Sequence, residues 1–175
     1  MMKYCFPFFA CLLLASCGEQ EKPKETIAWS QEKSSKFSKT LAMEENMDIR
    51  IFLEAHPKLT MTETGSGLRY FIYKKGKGPL AESGMLAEVK FKICRLDGKV
   101  CYQTDSLETE TFKIDKSDVE SGVQEGIKLM HIGDKAKFIV PIHLAHGLSG
   151  DFDKIPPLTT LVIDLELVSL SKRKI

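Results

Sequence analysis

No surplus of either charge marks this sequence of 175 residues: 25 Lys and Arg stand against 24 Asp and Glu. A broad basic field for nucleic acid is thereby excluded, and so is an acidic tail. The apolar run Tyr4 to Ala15, broken only by Pro7, is too short for a membrane span, which needs ~20 residues. Histidines are few and scattered (His56, His131, His143, His146), and no Cys/His cluster has zinc-ligand spacing. No metal or cofactor is expected. A catalytic triad, paired acids and a phosphate-binding loop are also missing. What is present is a globular composition, 43% apolar and 28% charged, of a length that allows one domain with a leader and a tail.

The start reads as a secretory leader, residues 1–16. Lys3 gives a short positive region, the apolar run follows, and removing the leader takes away only this lysine, leaving the charges balanced. Leu14-Ala15-Ser16-Cys17-Gly18 resembles the lipobox of bacterial lipoproteins, which implies lipid on Cys17. The alternative is an ordinary signal peptide followed by an incidental cysteine. Residues 17–28 are polar and charged, and Pro23 lies among them, as in a solvated tether. The chain is then expected in the cell envelope, lipid-anchored and facing the periplasm, on the outer membrane.

Residues 29–64 form a helical segment, clearest from Leu41 to Ala55, where Met43, Met47, Ile49, Phe52 and Leu53 recur at helical spacing. Pro57 ends it. This helix either packs on its own domain or makes a homodimer through residues 29–56. Strand patterns begin at Leu68 and continue with Leu86 to Leu96, where Val89, Phe91 and Ile93 alternate with Lys90 and Lys92. Asp97-Gly98 signals a hairpin returning over Val100 to Thr104. A short strand (Thr111 to Asp115) leads to a short helix whose Val123, Ile127 and Met130 share a face and which Gly133 closes. Strands Asp134 to Ile142 and Thr159 to Leu170 flank a long loop. The fold class is α+β: an antiparallel sheet crossed by one short helix.

Residues 65–171 resemble the FK506-binding (FKBP-type) peptidyl-prolyl isomerases. The carriers are Gly67-Leu68-x-Tyr70, Gly76-x-Gly78, Val89-x-Phe91, Asp97-Gly98 and Gly122-x-x-x-Gly126-x-x-x-Met130-x-x-Gly133. Pro141-x-x-x-Ala145-x-Gly147 and Ile155-Pro156-Pro157-x-x-x-Leu161-Val162-x-Asp164-x-Glu166-Leu167 complete the set. The resemblance implies a half-barrel of five or six antiparallel strands wrapped on the short helix. It also implies isomerisation of X-Pro bonds in proline-containing polypeptides as extracytoplasmic proteins fold. With the lipobox, the Met-containing helix and Ser66-Gly67-Leu68, the chain resembles the gliding-motility-associated branch of the Bacteroidota.

The resemblance also implies a pocket. Its tyrosine on the second long strand is Phe91 here, and its Phe-Asp pair is Cys101-Tyr102. The aromatic before the next strand falls on Glu110. The pair before the helix is Val119-Glu120, with the Glu120 amide as donor to substrate. The floor aromatic is Val123, the loop tyrosine is His146, the loop isoleucine is Ile155, and the last-strand phenylalanine is Ile163. His146 either donates to substrate or is a solvated loop residue, and Tyr102 either adds ring area or faces solvent. With so many aromatics replaced, the alternative function is a binding or chaperone module on the same fold. Cys94 and Cys101 face each other across a two-residue hairpin loop, which a bulge would undo. They form either a bridge or two separate thiols.

Overall fold

Ser30 opens α1 (Gln31–Ala55): its hydroxyl accepts from the Lys33 amide at 3.2 Å, satisfying one first-turn donor. The computed structural model describes residues 30–105 and 107–172. The leader, Cys17 and the tether lie outside the described residues. One face of α1 is settled on its own domain, where Ile49, Phe52 and Leu53 pack with Ile139 and Val162. Met43 and Met47, read with that apolar set, stay exposed at 74% and 48%, as does Ile51 at 57%.

Seven antiparallel strands make one sheet among the described residues: β1 (Thr62–Glu63), β2 (Arg69–Lys74), β3 (Leu86–Arg95), β4 (Val100–Gln103), β5 (Glu110–Lys113), β6 (Lys135–Val140) and β7 (Leu161–Ser171). The order is β1-β2-β6-β7-β3-β4, with β5 also on β3. The count exceeds five or six for two reasons. β1 has two residues only, and one edge of β3 is shared, β4 taking Lys92–Cys94 and β5 taking Leu86–Val89. The period-2 patterns explain the two faces. Leu161, Ile163, Leu165 and Leu167 of β7 enter the main core, and Val162 meets α1 behind the sheet.

On the core side lies α2 (Ser121–Ile127). A Cβ at Gly126 would stand 2.7 Å from the Phe138 ring, and one at Gly122 would stand 2.4 Å from Val140 Cγ1. Only glycine lets the helix approach β6 this closely. The helix stops at Ile127 rather than at Gly133. Gly133, at φ +90, instead lies in the turn that leads into β6, and its amide donates to the Leu167 carbonyl at 2.8 Å. β6 in turn gives way after Val140 to a short 3₁₀ turn, Ile142–Leu144, at the start of the long loop.

The β3–β4 hairpin corrects the expected register. Its loop has three residues, Leu96-Asp97-Gly98, because the Arg95 amide donates to the Lys99 carbonyl and Gly98 takes the left-handed φ of +84. Cys94 then faces Val100, Ile93 faces Tyr102, and Cys101 is the extra residue of a bulge. Both thiols are free, Cys101 buried and Cys94 half-buried.

Candidate active site

The concave face holds a cavity of ≈ 720 Å³. β3 contributes Val89, Phe91 and Ile93, and β7 contributes Ile163 and Leu165. These are cross-strand neighbours, Phe91 opposite Leu165 and Ile93 opposite Ile163, so sheet register alone builds an apolar wall. Val119, Glu120 and Val123 approach from the start of α2, Tyr102 from β4, and His146 from the long loop. Seven of the eight expected residues therefore line one space.

Ile155 does not. Its side chain is 2% exposed and belongs to the core, outside the lining. Its backbone explains why: the Ile155 amide donates to Asp151 Oδ1 at 2.8 Å, and its carbonyl accepts from the Asp151 amide at 3.1 Å. This closed turn ties the residue inward. Cys101 is likewise buried away from the cavity.

Tyr102 is half-buried and lines the cavity. Its hydroxyl donates to Asp151 Oδ2 at 2.5 Å and to Asp153 Oδ2 at 3.2 Å, while the Lys154 ammonium stands 4.7 Å from its ring centre. The Asp151 bond, more than burial, pushes the phenol up to about 12. Burial opposes ionisation of Asp151, yet the Tyr102 hydroxyl and the amides of Asp153 and Ile155 outweigh it and bring the carboxyl down to about 2.

His146 is not simply solvated either. Its Nε2 lies 3.0 Å from Glu120 Oε1, and both side chains are part-buried. A carboxylate only accepts, so Nε2 carries the proton and donates to Glu120. Glu120 thereby holds the loop histidine against the start of α2.

Two contributors escaped the sequence reading. Phe112 lines the cavity two residues beyond Glu110, on the same face of β5. Strand periodicity could have found it, since a ring missing at one position can be supplied at the next inward one. Asp151 had no such signal, because its Tyr102 partner lies 49 positions away and meets it only through the loop's course. Among the described residues no group of three or more His, Cys, Asp or Glu could hold a metal ion.

Comparison with known proteins agrees with this geometry. Residues 78–168 match the family model described as FKBP-type peptidyl-prolyl cis-trans isomerase. The FkpA isomerase of Aeromonas hydrophila is 36% identical over 110 residues, 62% of this chain and 40% of the relative. "FK506-binding protein 4" of Dictyostelium discoideum is 34% identical over 116 residues, 66% of this chain and 32% of the relative. The match thus spans less than half the length of these curated relatives. The crystal structure of FkpA from Escherichia coli superposes with a TM-score of 0.67 at 28% identity, covering 81% of this chain and 66% of that one. A peptidyl-prolyl isomerase structure from Pseudomonas syringae pv. tomato gives 0.63 at 26%, covering 73% and 92%. A model match over half the sequence, on strands and a helix that build the same cavity, means that the chain belongs to the FKBP-type peptidyl-prolyl cis-trans isomerase family.

Proposed function

We propose that the protein is a peptidyl-prolyl cis-trans isomerase acting on proline-containing polypeptides as they fold outside the cytoplasm. One observation carries the reading: Phe91, Phe112, Val123 and Ile163 surround a single concave cavity whose rim bears Tyr102, Glu120 and His146. An X-Pro bond isomerises against a barrier of about 18–20 kcal/mol because rotation breaks amide resonance. An apolar pocket desolvates the imide and favours the twisted form, in which carbonyl and nitrogen are no longer conjugated. The chemistry asks for shape and a few donors, with no bond made to the protein. In this reading Phe91, Tyr102, Val119, Val123 and Ile163 hold the proline. The Glu120 amide and His146 face the substrate backbone, and Ile155 supports the loop from the core.

The envelope setting rests on the sequence. Residues 1–16 would be removed as a signal peptide, Cys17 would carry the lipid, 17–28 would be the tether, 29–64 the helical segment and 65–171 the isomerase domain. A place in gliding motility is part of the same proposal, supported by the resemblance named above. Homodimerisation through residues 29–56 is supported by the exposed stripe Met43, Met47 and Ile51.

A second reading has its own observation. His146 already donates Nε2–H to Glu120, so a domain that binds or chaperones chains with little turnover also fits. A protease-coupled assay with Xaa-Pro peptides, varying the residue before proline, separates the two. Rates no higher than the uncatalysed ones for every peptide would sink the isomerase reading. Faster refolding of a proline-limited protein without peptide turnover would favour the second.

A further inference from the structure

We propose that Glu45 of α1 is a positioning residue for the pocket, clamping both ends of the loop that carries His146. The inference rests on the isomerase reading for its effect on turnover, but the clamp itself is independent of it. The loop leaves the sheet after β6 and rejoins it at β7, and these strands are neighbours, Val140 facing Leu161. Its two ends, Ile142 and Thr160, therefore come together beside the same strand ends. One oxygen of Glu45 takes both: the Ile142 amide donates to Oε1 at 2.6 Å, and the Thr160 hydroxyl donates to Oε1 at 2.5 Å. A carboxylate oxygen has lone pairs for two donors, so a single group closes the base of the loop.

Neither bond can be replaced locally. Ile142 and Thr160 are buried, at 7% exposure each, and Glu45 is itself half-buried. Ile49, one helical turn along, packs on Ile139 and Val162, which fixes the height of Glu45 over the strand ends. Inside the loop, Asp151 ties Tyr102 to the Ile155 turn, so the clamp and this turn together leave the His146 segment little freedom. The N-terminal helix, which contributes no residue to the cavity lining, thereby sets where a cavity residue stands. A placement error of about 1 Å at a reacting group can cost a hundredfold in rate, so loosening the loop base is expected to be felt at the site.

The test uses the purified chain and its Glu45→Ala, Glu45→Gln and Thr160→Val variants. Glu45→Ala should raise hydrogen exchange at the Ile142 amide at least tenfold, shift the His146 ring resonances, and leave β3 and β7 protected. Its kcat/KM should fall about tenfold, mainly through KM. Glu45→Gln keeps an acceptor oxygen and should recover most of both. Thr160→Val removes one bond only and gives an intermediate result, which decides the matter should Glu45→Ala not fold. Asn46→Ala serves as the control. Its partner is the Arg69 guanidinium at 3.0 Å, a helix–sheet contact remote from the loop, and it should change neither readout. Unchanged Ile142 exchange in Glu45→Ala overturns the clamp. Faster exchange with His146 resonances and KM unmoved overturns the positioning role, and so does an equal loss in Asn46→Ala. A wild-type chain without isomerase activity would instead overturn the isomerase reading, while exchange and the His146 resonances still decide the clamp.

Discussion

The Tyr102 hydroxyl donates to Asp151 across 2.5 Å, joining β4 to a loop residue 49 positions later in the chain. The Asp151 carboxyl also accepts from the amides of Asp153 and Ile155 at 2.9 and 2.8 Å. This contact makes the loop's geometry depend on one ionised acid.

A pH dependence follows. Asp151 lies at about 2 in the fold against an ordinary 3.8. Its folded value is depressed, so its contribution is present above about 4 and is lost as pH falls through about 2. Carboxyl resonances of Asp151 should titrate near 2, and the Ile155 amide shift should follow the same curve. In Tyr102→Phe both midpoints should rise toward 3.8, the ordinary value of the carboxyl. The phenol answers at the other end. Raised to about 12, it stabilises the fold fully below 10, and the contribution is lost as pH climbs through about 12. A Tyr102 absorbance midpoint near 10 would contradict the bond.

His146 gives a prediction about turnover. If it meets the substrate backbone, His146→Ala should lower kcat/KM about tenfold, the worth of one ordinary hydrogen bond of about 1.4 kcal/mol. His146→Tyr, restoring the donor that the family resemblance implies, should keep most of the activity. Glu120→Gln keeps an acceptor for Nε2 but weakens the contact, and should lower kcat/KM less than His146→Ala does. Peptide kinetics check the three variants. Equal activity in all of them would place His146 outside the reaction.

Much of this was legible because local rules and tertiary packing agree. Leu161, Ile163, Leu165 and Leu167 alternate in the sequence and alternate in the sheet. Gly122 and Gly126, four residues apart in the sequence, sit on the side of α2 that meets β6, where an added Cβ would strike Val140 or Phe138. The hairpin failed by one residue because Asp97-Gly98 signals a turn without fixing its loop length, and Gly98 accepts a left-handed φ in either case. Family spacing locates Ile155 along the chain and not the direction of its side chain, which lies in the core. Asp151 and Glu45 are not legible because Tyr102, Ile142 and Thr160 reach them from distant segments, which no local period encodes.

The stripe on α1 can be tested by charge. Met43, Met47 and Ile51 follow each other at four-residue spacing, opposite the face that holds Ile49. Met47→Glu and Ile51→Glu should leave the domain folded, since both positions are about half exposed or more, at 48% and 57%. If these residues join two chains, sedimentation should show a dimer for the wild type and a monomer for the double variant. A monomeric wild type at all concentrations would remove the dimer from the proposal.

Gly122 ties stability to the site. An alanine Cβ there would lie 2.4 Å from Val140 Cγ1 and 3.3 Å from both the Leu144 Cβ and the Leu144 carbonyl oxygen. Val140 is fully buried in β6, so its methyl has nowhere to turn and the helix itself must lift. Overpacking of this kind costs about 1–3 kcal/mol. The first turn of α2 is what moves, and it carries Val123 and follows directly on Glu120. Gly122→Ala should therefore lower the urea midpoint and kcat/KM together, even where the protein remains folded. Gly65→Ala is the matched comparison: nothing lies within 4 Å of its Cβ position, and the change should stay within about 0.5 kcal/mol of wild type. A Gly122→Ala protein with the stability of wild type would mean that α2 is not held against β6 as closely as the Val140 contact requires.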